Sequence, residues 1–96
     1  MLKQMKITTK DRATLKPLLE SAIENEKKMI MLGMDRTLKR LTQFEQEYQM
    51  TSAEFMQRLN ALELSETVEF SEWRLEIGML DLLERQYNTL KDARLD

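Results

Sequence analysis

The fold is decided by the stretch Met50-Thr51-Ser52-Ala53-Glu54-Phe55, which carries the signature of a helix start. Thr51 and Glu54 have the spacing of a capping box, in which the threonine hydroxyl accepts the glutamate amide and the glutamate side chain reaches back. The apolar residues at the two ends of the stretch flank this box as a hydrophobic staple. The stretch therefore predicts a helix boundary in mid-chain, followed by a short helix over residues 52–62.

A long amphipathic helix is predicted before this boundary, from near Lys16 to about Tyr48. Pro17 has no amide donor and a fixed φ, which suits the first turn of a helix. Apolar residues recur every seven positions, which is typical of a coiled-coil-like seam. The two series are Ile23, Ile30, Thr37 and Phe44, and Met34, Leu41 and Tyr48.

A second long helix is predicted from residues 65–67 to about Arg94, because acidic side chains crowd its first turns and favour the positive end of the helix dipole. Its apolar stripe consists of Trp73, Ile77, Leu80, Leu83, Tyr87 and Leu90. The stripe indicates core packing, although Trp73 and Tyr87 at helical spacing also fit an aromatic wall for a ligand. Phe55 and Trp73 are the expected structural anchors.

Three further residues widen the apolar surface of this helix beyond what one neighbouring helix covers: Leu75, Met79 and Leu82. Some of that surface is expected to face a second molecule. The predicted fold class is all-α, in one domain over residues 1–96. Two long antiparallel helices are joined through the short helix, and the chain is expected to dimerise into a helical bundle.

Composition supports a helical bundle, with 33% charged residues, 42% hydrophobic residues, 2 Gly and 1 Pro in 96 residues. A chain this short buries a small core, so its stability is marginal. The absence of Cys excludes a disulfide, and the absence of both Cys and His excludes the usual zinc site. Dimerisation is the remaining way to gain stability, and we expect a homodimer.

The same two absences remove the common catalytic groups, namely the histidine base, the cysteine nucleophile and the Ser-His-Asp triad. No glycine-rich phosphate loop is present. We therefore expect no enzymatic activity, no cofactor and no metal. An acidic row could hold a divalent cation, but a solvated helix start explains it better. The row consists of Glu63, Glu66, Glu69, Glu72 and Glu76.

The N-terminal segment, residues 1–15, is predicted to be loosely ordered and basic. Residues 1–16 carry a net charge of +4, and the rest of the chain carries −6. This segment either touches an acidic partner or nucleic acid, or is a solvated, frayed end. Its candidate contacts are Lys3, Lys6, Lys10 and Arg12.

The chain has no apolar run of membrane-spanning length and no signal-peptide pattern at its start, so we expect a cytoplasmic protein without membrane contact. Nucleic-acid binding is weakly supported. A basic cluster of Arg36, Lys39 and Arg40 lacks the aromatic residues that single-strand binders interleave, and no helix-turn-helix fits.

Two stretches, residues 48–55 and Glu69-Phe70-Ser71-Glu72-Trp73, resemble a group of small helical proteins of bacteria and archaea, some of them antitoxin-like. In that group a long charged helix ends in a similar turn, and a second long helix opens with an acidic-Phe-x-Glu-Trp pattern. The resemblance covers roughly Leu19 to Leu90. Gln49 stands where the relatives carry a glycine suited to a left-handed helix end. The resemblance implies a protein that wraps or plugs a toxin enzyme and has no chemistry of its own.

The sequence thus predicts a non-catalytic helical protein-binding module, and the resemblance implies the antitoxin of a toxin-antitoxin pair. The alternatives are a purely structural, self-assembling coiled-coil protein and a small nucleic-acid-binding regulator. The candidate partner-binding residues are Glu66, Glu69, Glu72, Leu75, Met79 and Leu82.

Overall fold

The computed structural model describes residues 3–5 and 11–95, with side chains described for residues 11–93. In chain order the elements are strand β1 Lys3–Met5, helices α1 Arg12–Tyr48, α2 Ser52–Asn60 and α3 Val68–Lys91, and strand β2 Ala93–Leu95. The chain is all-α in class, as predicted. The two three-residue strands were not predicted, and they pair in parallel across the two ends of the described chain.

Helix α1 begins at Arg12, four residues earlier than predicted. The side chain of Asp11 caps it by accepting the Thr14 amide at 3.2 Å. Pro17 therefore lies inside the helix instead of at its start, where it removes one backbone hydrogen bond. Residues 12–15 thus belong to α1 and not to a loosely ordered segment, because Asp11 supplies a cap that the sequence analysis overlooked.

The turn between α1 and α2 is formed by Gln49, whose φ of 55° and ψ of 43° lie in the left-handed region. The Met50 amide donates to the Glu45 carbonyl at 3.3 Å, which is the long bond of a Schellman ending. The chain therefore turns sharply with a glutamine where glycine is the usual residue. The carboxylate of Glu45 also accepts the Ser52 amide at 2.7 Å and so ties the end of α1 to the start of α2.

Helix α2 begins as the capping pattern predicts, since the Thr51 hydroxyl accepts the Glu54 amide at 3.1 Å. The reciprocal half of the box is not formed. The Glu54 carboxylate instead accepts from Arg58, one turn further along the helix, at 2.8 Å. An exposed, opposite charge four residues away thus competes successfully with the Thr51 amide.

Helix α2 ends earlier than predicted, since the predicted helix included Leu62. Helix α2 ends at Asn60, and Leu62 has a φ of 61° and is 88% exposed. The amides of Leu62 and Glu63 close a second Schellman ending by donating to the carbonyls of Leu59 and Arg58. A left-handed residue turns its side chain off the helical row, so periodicity fails at this position.

Thr51→Ala is expected to destabilise the fold by about 1 kcal/mol, because it leaves the Glu54 amide without its capping acceptor. Urea denaturation followed by circular dichroism measures the change. Glu54→Ala is the matched control and should cost less, since it removes only an exposed pair with Arg58. Equal stability of Thr51→Ala and the wild type would contradict the role of this hydroxyl.

The core centres on Trp73 and Phe55, which are both fully buried and stack in parallel with ring centroids 4.0 Å apart. Leu41, Phe44 and Leu59 complete the buried cluster. All three helices contribute to it, and it lies at the end of the molecule where α2 connects α1 to α3. Thr67 starts α3 beside this core, with its hydroxyl accepting the Phe70 amide at 3.0 Å.

Helices α1 and α3 contact each other at two levels along their length. Phe44 stacks on Trp73 close to the connection, whereas Gly33 lies against Leu83 further away. A β-carbon on Gly33 would sit 3.3 Å from a Leu83 methyl, so glycine permits this close approach. The molecule measures 59 × 21 × 20 Å. Among the described residues, no helix combines the length and the apolarity needed to cross a bilayer.

Candidate protein-interaction site

Six large apolar side chains form an exposed surface on α1 and α3, which we call the open face. On α1, Leu18, Met29 and Leu32 are 62%, 58% and 61% exposed. Their spacings of eleven and three residues place them on one side of the helix. The α3 members are Leu75, Met79 and Leu82, which are 71%, 45% and 43% exposed. Spacings of four and three residues align these as well.

The two stripes lie on the same side of the helix pair. Met29 shares a helical row with Gly33 and Arg40, and that row meets α3. Met79 shares a row with Glu72 and Leu83, which are the α3 residues in contact with that same row. The buried cluster that contains Phe55 and Leu59 of α2 includes Leu41 of α1, and Ile77 and Leu80 of α3 pack against it. The open face is therefore the side of the pair that α2 does not cover.

A groove of about 420 Å³ runs between α1 and α3 beside the open face. Its apolar lining comes from Ile30, Leu82 and Leu90, and Glu26 and Arg85 contribute charge. Ile30 is 5% exposed, whereas Leu82 belongs to the open face. The groove and the open face thus form one continuous, mainly apolar surface along the half of the molecule away from α2.

Three of the five carboxylates in the acidic row have partners within the chain. The Glu66 carboxylate accepts from Arg74 at 3.0 Å and from the Ser71 hydroxyl at 2.7 Å. Glu72 pairs with Arg40 of α1 at 3.1 Å. A partner that contacts Glu66 or Glu72 would therefore compete with Arg74 or Arg40 for these carboxylates. Within the described residues, no group of three or more acidic side chains is arranged to hold a metal ion.

Glu69 is the third of the acidic residues proposed from the sequence to bind a partner. Its carboxylate accepts a short hydrogen bond from the Tyr48 hydroxyl at the end of α1. This bond, followed by partial burial and the charges of Glu69 and Glu47, raises the pKa of Tyr48 to about 12 from its ordinary value of 10.0. The pair is a link between α1 and α3 that depends on the protonated phenol.

Tyr48→Phe should remove a pH-dependent part of the stability. The unfolded tyrosine ionises near pH 10 and the folded one near pH 12, so the stabilisation is fully present below pH 10 and is lost between pH 10 and 12. Thermal melts of both proteins from pH 8 to 12 measure the difference in melting temperature. The melting temperature of the wild type should exceed that of the variant at pH 8, and the difference should disappear by pH 12. A difference in melting temperature that is constant across this range would contradict the role of the Tyr48–Glu69 hydrogen bond.

The basic candidates are placed as follows. Lys39 pairs with Asp35 at 3.1 Å, and Arg40 pairs with Glu72 while lying 4.7 Å from the centre of the Phe44 ring. Two of the three residues in the basic cluster are thus engaged within the chain. Arg12 is exposed in the first turn of α1. The side chains of Lys3, Lys6 and Lys10 lie outside the described residues.

Two sets of residues were missed by the sequence analysis. Leu18, Met29 and Leu32 lie off the seven-residue seam of α1, although their common helical side was a usable signal. Ser52 was also missed. Its hydroxyl accepts the indole N–H of Trp73 at 2.9 Å, and no local pattern connects residues that are 21 positions apart.

The fold and the site together define a small helical protein with an uncovered apolar face. No protein-family model, no curated protein and no solved structure matches the chain.

Proposed function

We propose that this protein is a non-catalytic helical binding module whose open face packs against protein. The observation that carries the proposal is the exposure of six large apolar side chains on one side of the α1–α3 pair. Apolar patches of this kind mark interaction surfaces, because leaving them in water costs free energy that a partner recovers. The absence of His and Cys from the sequence agrees with a binding role.

The more specific proposal is that one partner is a toxin encoded beside this protein, which acts as the antitoxin in the cytoplasm of a prokaryotic cell. Its support is the resemblance of residues 48–55 and 69–73 to antitoxin-like proteins. An amphipathic helix face laid into an apolar groove is a common way to neutralise an enzyme. The α3 members of the open face, Leu75, Met79 and Leu82, are the residues proposed to make that contact.

The acidic residues Glu66, Glu69 and Glu72 have a secondary place in the proposal. Each forms a hydrogen bond or ion pair within the chain. Reversing their charges would therefore disturb the packing of α3 as well as any partner contact. The basic residues Lys3, Lys6, Lys10 and Arg12 remain proposed contacts for an acidic partner surface.

Two alternatives remain. A purely structural, self-assembling protein would also use the open face. A nucleic-acid-binding regulator is less favoured, because Lys39 and Arg40 pair with acidic residues of the chain itself. Retention on heparin that disappears in moderate salt would support the regulator.

Co-expression with the product of the adjacent gene tests the proposal. We expect a stoichiometric complex on gel filtration and rescue of growth if that product is toxic. Met79→Asp should abolish both, since a carboxylate would be buried without a partner. Met31→Asp is the matched control, because Met31 is 52% exposed on a different side of α1. Failure of the wild type to form a complex, or full rescue by Met79→Asp, would contradict the proposal.

A further inference from the structure

We propose that the open face is covered by a second copy of this chain, which packs face to face with α1 antiparallel to α1. The inference rests on the proposed function, since it names the occupant of the same surface. A foreign partner that uses Leu75, Met79 and Leu82 would therefore compete with the second copy for this surface.

The first argument is the distribution of the core. The five residues of the buried cluster all lie at the α2 end of the molecule, either on α2 or on the parts of α1 and α3 that pack with it. Further along the pair, Ile30 is the buried apolar residue of α1, and no third described helix covers that half. A layer of two helices exposes both of its sides, and the open face is the side to which both α1 and α3 contribute exposed apolar residues. Two such layers packed on that side form a four-helix bundle.

The second argument is surface area. The chain has an accessible surface of 7448 Å² at a mass of 11.5 kDa. A compact monomer of that mass exposes about 5,800 Å². The excess of about 1,600 Å² exceeds the roughly 800 Å² that each partner contributes to a standard interface. The excess reflects the elongated shape of 59 × 21 × 20 Å, and a second copy packed along the open face would reduce it.

The third argument is charge. Glu26 and Arg36 are exposed beside Met29 and Leu32, and neither forms an ion pair with another described residue. They are ten positions apart, about 15 Å along α1. In an antiparallel, two-fold arrangement, Arg36 of one copy meets Glu26 of the other, and the same contact forms twice. A face that carries both signs in this way is complementary to itself, as a symmetric interface requires.

Sedimentation velocity over a hundredfold dilution is the first test. The wild type is expected to sediment as a dimer of about 23 kDa, twice the chain mass of 11.5 kDa, and to dissociate on dilution. A folded monomer at every concentration would overturn the inference. If that monomer still binds a foreign partner through Met79, the proposed function survives and only the second copy is excluded.

A matched pair of variants locates the interface. Met29→Asp and Met31→Asp introduce the same charge on the same helix, at methionines that are 58% and 52% exposed. Two residues of separation turn them by about 200° around the helix axis. Met29→Asp should be monomeric and Met31→Asp dimeric at the same concentration. The reverse result, or dissociation of both or of neither, would overturn the assignment to the open face.

Charge reversal tests the antiparallel arrangement without adding a charge to the apolar centre. Glu26→Arg and Arg36→Glu should each raise the dimer dissociation constant about tenfold, since two attractive contacts become repulsive. An equimolar mixture of the two variants should form a heterodimer, and the double variant in one chain should regain wild-type affinity. Unchanged dissociation constants for the single variants would overturn the antiparallel pairing, because a parallel pair does not bring residues 26 and 36 together.

Discussion

Trp73→Ala is expected to destabilise the fold by about 3–5 kcal/mol, the usual cost of truncating a large aromatic side chain in a core. Trp73 is fully buried, and its ring lies 4.0 Å from the Phe55 centroid and 5.5 Å from the Phe44 centroid. The three rings come from the three helices, so the substitution opens a cavity where all of them meet. Small domains have total stabilities of about 5–15 kcal/mol, so this loss is a large part of the total and should lower the urea midpoint strongly.

Far-ultraviolet circular dichroism in urea measures this loss, because Trp73 is the sole tryptophan and its fluorescence disappears with the substitution. Trp73→Phe is the control. It keeps an aromatic ring against Phe55 and should cost clearly less than the alanine variant. A Trp73→Ala variant whose urea midpoint equals that of the wild type would show that the helices do not depend on this cluster.

Ser52→Ala is expected to cost about 2 kcal/mol, more than Thr51→Ala next to it. The Ser52 hydroxyl accepts the indole N–H of Trp73 at 2.9 Å, and Trp73 is fully buried. Removing the acceptor leaves a donor that water cannot reach. The cost arises in the core and not at the helix start, although Ser52 is the first residue of α2.

A double-mutant cycle separates these two origins. In a Trp73→Phe background there is no indole N–H to leave unsatisfied, so Ser52→Ala should cost little there. Urea midpoints of the four proteins give the coupling free energy. An equal cost of Ser52→Ala in both backgrounds would place its effect in the start of α2 and would contradict the role of the Trp73 hydrogen bond.

The helical periodicity of apolar residues predicted the three helices, but it did not predict all of their ends correctly. The start of α2 was correct because Thr51 caps it through a contact three residues away. The start of α1 was late because Pro17 was taken for a first-turn residue when Asp11 supplies the cap. The end of α2 was late because Leu62 adopts a left-handed conformation that the apolar pattern does not reveal.

The sequence predicted the α3 part of the open face but not its α1 part. The widened stripe of α3 suggested an uncovered apolar surface, and its members Leu75 and Met79 are exposed. The α1 stripe was missed because the stronger seven-residue seam of that helix drew attention to the side that packs inwards. Of the acidic row, Glu63 and Glu66 precede α3, which begins later than predicted, and only Glu69 lies in its first turn. The partners of these residues within the chain could not be foreseen.

What the sequence determined by itself was the class of the fold and the approximate limits of its helices, because caps and helical periodicity depend on residues within a few positions of one another. Only the tertiary structure decided which polar groups are satisfied internally and which apolar face is left open. Glu72 meets Arg40 across 32 positions, and Trp73 meets Ser52 across 21. Such contacts depend on how the helices pack against one another, and the composition of a single helix does not encode that packing.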